Sequence, residues 1–127
     1  MKDIEDISSI KIFVDEFYAL VQNDTLIGPI FNNVITSWDT HLEKMYAFWN
    51  AALFGVPGFK GNLFAKHAPL HLEPQHFKRW LELFNETIDR NFDGPMAADT
   101  KTRAGLMAVM FQNKIARTGG DASRTIV

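Results

Sequence analysis

Apolar residues recur at three- and four-residue steps along nearly the whole chain, the period a helix needs to present one continuous apolar face. Ile7, Ile10, Phe13, Val14, Phe17, Leu20 and Val21 form the first stripe, in a helix expected to reach about Gln22, with Asp3, Asp6 and Ser8 as candidate caps. Gly28-Pro29 opens a short helical turn to Asn33, with Ile27, Ile30 and Phe31 as its apolar members. Trp38, Leu42, Met45, Phe48, Trp49, Ala52 and Leu53 make the next stripe, capped by Ser37 or Asp39 and running to about Phe54. Pro74, preceded by Glu73, begins a long helix to about Phe92 that carries Phe77, Trp80, Leu81, Phe84 and Ile88. After Asp93-Gly94-Pro95 a poorer amphipath follows, with Met96, Thr100, Arg103, Met107, Met110, Phe111 and Ile115, and Gly119-Gly120 ends it. No strand alternation, internal repeat or Gly-rich phosphate loop competes with this pattern, so the expected fold class is all-α: one domain over residues 1–120 and a flexible tail over 121–127.

A chain of 127 residues is long enough to bury a core without covalent staples, and it contains no Cys. Disulfides, thiolate metal sites and cysteine nucleophiles are thereby excluded, and a reducing, cytoplasmic setting is expected. Thirteen basic residues against fifteen acidic ones, scattered along the chain, argue against nucleic acid as a partner. No apolar run approaches the ~18 residues of a membrane span. The opening Met1-Lys2-Asp3-Ile4-Glu5-Asp6 is too acidic for a signal peptide. Eleven Phe, three Trp and two Tyr supply enough ring surface either to fill a helical core or to line a wide, flat cavity.

One stretch invites chemistry. In Leu63-Phe64-Ala65-Lys66-His67-Ala68-Pro69-Leu70-His71-Leu72-Glu73-Pro74, Pro69 disfavours helical geometry at Ala68, so a helix from about Gly61 should stop near His67. An imidazole at such a helix end, flanked by Leu63, Phe64 and Leu70, meets the apolar setting that a haem iron requires; a hydrogen-bonded structural histidine is the plainer reading. His67 and His71 also have the i,i+4 spacing of a zinc pair, but Pro69 between them breaks the helix that would give the spacing meaning. Elsewhere, Tyr18 falls at the edge of the first stripe and Trp80 on the flank of the fourth helix, each with a polar tip on an apolar ring. His41 lies inside the third stripe, where a titratable ring needs either a backbone partner or a pocket to face.

These residues, in order and spacing, resemble the truncated haemoglobins, most closely group III. The likeness runs from Phe17-Tyr18 through Gly28-Pro29-Ile30-Phe31-Asn32-Asn33, Trp38-Asp39-Thr40-His41, Phe48-Trp49 and Lys66-His67 to Phe77-Lys78-Arg79-Trp80-Leu81-Glu82-Leu83-Phe84. It implies a two-over-two helical sandwich around one haem b, with His67 as the proximal iron ligand and Phe31 against the porphyrin. Tyr18, His41 and Trp80 match the distal tyrosine, histidine and tryptophan of the family. Phe48 and Phe64 are expected beside the haem, and Lys44, Lys66 and Arg79 are candidates for its propionates, which need cationic partners near solvent. This chain is one residue shorter than its relatives after His67, which leaves His71 as an expected loop residue.

The resemblance implies a haem protein that binds dioxygen, nitric oxide or carbon monoxide. A redox enzyme acting on nitric oxide or peroxide with an electron donor is the alternative, and a haem-free helical interaction module is a third reading. Turnover with a reductant or peroxide separates the first two, and a colourless protein would favour the third. The oligomeric state, monomer or weak dimer, is not written in the sequence.

Overall fold

The computed structural model describes residues 1–59 and 72–117, with side chains through Lys114, and within them the chain is helical: α1 (Ile7–Asn23), α2 (Gly28–Val34), α3 (Trp38–Phe54), α4 (Pro74–Asn91) and α5 (Pro95–Arg117). The expected helix end at His67 and the tail from residue 118 lie outside the described residues. No described helix is long and apolar enough to cross a membrane.

Helix α1 packs against α2, α3 and α4, and α4 packs against α5, so that one helix pair lies over another. The α1 stripe is the centre of the core: Ile10, Phe13, Val14, Phe17 and Val21 are all buried. Local signals set the ends. Asp6 caps α1 by accepting from the Ser9 N–H at 3.2 Å, and Ser37 caps α3 by accepting from the Thr40 N–H at 3.3 Å. After α1, Asp24 accepts from the Leu26 and Ile27 N–H groups at 3.1 and 3.0 Å, which turns the chain into α2. Gly28 is needed at that corner, because a Cβ there would lie 2.9 Å from the Val21 carbonyl oxygen.

Two expectations are corrected. Asp3 does not cap α1; its carboxylate accepts from the Met96 and Ala97 N–H groups at 2.9 and 2.8 Å and so caps α5, across 93 positions of sequence. Its carboxyl pKa lies below the ordinary range: burial works against this, but the N–H groups of Met96, Ile4 and Ala97 prevail. Gly94, at φ 142°, lets the two segments approach, since a Cβ there would fall 2.5 Å from the Asp3 Cγ. The second correction concerns the register of α5. Its buried face is Ala97, Thr100, Ala104, Ala108 and Phe111, while Arg103 and Met110 are exposed. Small alanines allow α5 to lie close along α4, and the methionines are displaced to the flanks and the outside.

Candidate functional site

The helices leave an apolar cavity with about 600 Å³ of empty space, counting the mouth where it opens to solvent. All five helices reach it: Phe17 and Tyr18 from α1, Phe31 from α2, Met45, Phe48 and Trp49 from α3, His76, Phe77, Trp80 and Phe84 from α4, and Met107, Ala108 and Phe111 from α5. Ile27 and Leu72 complete the lining.

A lattice of rings makes the wall stiff. Phe84 is stacked between Trp49, at 5.4 Å and 22°, and Trp80, at 5.6 Å and 10°. Phe17 meets the edges of both Trp80 and Phe84, at 5.4 and 5.2 Å. Arg79 anchors this part of α4 from behind: its Nε donates to Asp24 Oδ1 at 2.7 Å, and Nη1 reaches Glu82 at 3.4 Å. Asp24 is therefore held at a depressed pKa; burial raises it, but the Ile27 N–H, Arg79 and the Leu26 N–H outweigh that effect. On the outer side Tyr46 donates to Asp15 and ties α3 to α1.

Tyr18 is 5 % exposed, deeper than the helix-edge position expected for it, and its ring lines the cavity. No described residue accepts its hydroxyl proton, and burial raises its pKa further above the physiological range, so the phenol stays protonated and able to donate. Trp80, locked between its ring neighbours, has an indole N–H that can only donate. His41 stands one layer back, its ring edge-on to Tyr18 at 4.8 Å and to Trp38 at 5.6 Å. Trp38 in turn donates to Asn32 at 3.2 Å across the α2–α3 corner. Phe31 and Phe48 are wall residues, whereas Lys44 is exposed on α3 and is not part of the lining. His67, Phe64 and Lys66 lie outside the described residues.

His76 is a wall residue that the sequence reading did not single out. The signal was present: it stands three positions after Glu73, the N-cap of α4, and its Nδ1 accepts from the Glu73 N–H at 2.9 Å as one half of a capping box. The site as a whole is an aromatic enclosure with a few polar ring tips and no carboxylate or amine among its described lining residues. Such a site suits a broad, flat, mostly apolar group together with a small ligand that carries partial negative charge. Among the described residues no three His, Cys, Asp or Glu come together to hold a metal.

This architecture is that of a globin, and the chain belongs to the bacterial-like globin family, whose model matches residues 4–114. Within that family it is a truncated haemoglobin similar to group III. It is 35 % identical over 117 residues to the group 3 truncated hemoglobin ctb of Campylobacter jejuni, a match covering 88 % of this chain and 92 % of that protein. The crystal structure of the group III truncated hemoglobin from Campylobacter jejuni superposes with a TM-score of 0.81, covering 90 % of this chain and 94 % of that one. The fold is accordingly the two-over-two globin sandwich, and the family makes the chain a haem-based gas-binding protein.

Proposed function

We propose that the cavity takes haem b and that Tyr18 and Trp80 face a diatomic gas, dioxygen or nitric oxide, held on the distal side. The observation that carries this reading is Tyr18: a protonated phenol on a buried, apolar wall residue, with no acceptor among the described residues, leaves its hydroxyl available to donate to a group held in the cavity. Haem supplies an iron with a coordination position for the gas. The chain supplies the rest. Phe31, Phe48 and Phe84 offer flat apolar surface to the macrocycle and exclude water, and Tyr18 and Trp80 present N–H and O–H donors to a ligand that gains negative charge on binding. His41, edge-on to Tyr18, orients that ring. His67 is the proposed proximal ligand. The absence of Cys suits a reducing cytoplasm.

Absorption spectra of haem-reconstituted wild type, His67→Ala and His41→Ala test the assignment. The wild type and His41→Ala should show a haem band of similar intensity, and His67→Ala should lose haem or its normal proximal signature. Loss of haem in His41→Ala with retention in His67→Ala would mean that the two sides are exchanged.

A further inference from the structure

We infer that His76 is the anchor for a carboxylate at the cavity mouth, donating from Nε2 to a propionate of the haem. The inference rests on the haem reading above and identifies a residue that neither the motif resemblance nor the charge pattern points to. Three observations lead to it. The ring of His76 lines the cavity and is only partly buried, which places it where the apolar wall gives way to solvent. Its Nδ1 is already an acceptor, bonded to the Glu73 N–H at 2.9 Å. A neutral imidazole whose Nδ1 accepts must carry its proton on Nε2, so Nε2 is a donor and, while the cap holds, has no lone pair for a metal. The cap therefore selects hydrogen-bond donation over iron ligation.

The cationic alternatives among the described residues are less well placed. Arg79 is engaged by Asp24 at 2.7 Å and by Glu82 at 3.4 Å, and Lys44 stands exposed, away from the lining. A flat group with an apolar body and acidic edge substituents, seated against Phe77 and Trp80, has its acidic edge directed to the mouth by desolvation alone, and His76 is the donor there.

The test uses the haem-loaded protein and measures the rate at which haem passes to excess apomyoglobin, followed by absorption. His76→Phe keeps the ring bulk and removes both the donor and the cap. His76→Glu keeps the cap, since Glu is a favoured residue at that helix position, but replaces the donor with a repelling carboxylate. Both variants should release haem about ten- to a hundredfold faster than wild type, the range for hydrogen bonds to a charged group. Repeating the measurement with haem dimethyl ester, whose propionates are blocked, should remove most of that difference. Wild-type release from His76→Glu would show that His76 only caps α4 and would overturn the inference. So would an equal acceleration with the dimethyl ester, which would mean lost packing. A wild-type protein that shows no haem band at all would overturn the haem reading itself, and this inference with it.

Discussion

Replacing Tyr18 with Phe separates what the hydroxyl does for the fold from what it does for the ligand. The ring is 5 % exposed, its edge contacts are to Phe17 at 4.8 Å and His41 at 4.8 Å, and no hydrogen bond to a described residue is lost when the oxygen is removed. Burial of a hydroxyl without a partner costs about 1–3 kcal/mol in proteins. Tyr18→Phe should therefore leave the ligand-free protein as stable as wild type, or more stable by ~1 kcal/mol, a rise of roughly 4 °C in Tm at this chain length. The gas-bound protein should respond in the opposite way. A donor to a partly charged ligand contributes about 1–3 kcal/mol, so release of dioxygen should accelerate about five- to a hundredfold, with the association rate less affected. Trp80→Phe should act in the same direction, and if both donors serve one ligand atom the double variant will fall short of the product of the single effects. Stopped-flow displacement of dioxygen and a thermal melt of the ligand-free protein measure the two quantities. A Tm lowered by several degrees together with an unchanged release rate would refute the reasoning, because the hydroxyl would then be a structural group with a protein acceptor.

The other predictions concern the frame that holds the site. Phe84→Ala removes the ring stacked between Trp49 and Trp80 and should cost about 3–5 kcal/mol in urea unfolding, while Phe84→Leu should cost clearly less. Asp24 has a folded-state pKa below its unfolded value of about 3.9, so its contribution is fully present above that value and is lost as pH falls through the lower, folded pKa. Asp24→Asn should therefore be less stable than wild type at pH 7, with the gap closing below about pH 4. A gap that persists unchanged at pH 2 would show that the charge is not what matters. Haem-loaded protein should melt above the apoprotein, because a group bound only by the folded state shifts the equilibrium toward it; equal melting temperatures would count against a central haem.

How far the sequence speaks depends on side-chain size and on the distance between partners. The helices were legible because large apolar residues repeat at helical spacing and because Ser37, Pro74 and Pro95 mark starts with a known physical cause. The register of α5 was not, since Ala97, Ala104 and Ala108 carry little hydrophobic signal of their own and gain their importance from how closely α4 approaches. Tyr18 and Trp80 could be picked out as rings with polar tips, but the depth of Tyr18 depends on Trp38 and His41, which only the packing brings beside it. In the sequence His76 reads as part of an ordinary helix start; that the same ring also borders the cavity follows from the arrangement of α4 against α1 and α5.

The bond from Asp3 to the start of α5 has a consequence for the order in which the chain assembles. It joins residues 93 and 94 positions apart, so closing it before the intervening helices pack would carry the loop-closure entropy of nearly the whole chain. Such a clasp should form late, so that weakening it hastens unfolding and leaves the folding rate nearly unchanged. It also makes the first residues a poor site for alteration, despite their position at the chain terminus. A fusion or deletion that displaces Asp3 would release the first turn of α5, the helix that carries Met107, Ala108 and Phe111 to the cavity, so a change at the amino terminus would be felt as looser retention of whatever the cavity holds.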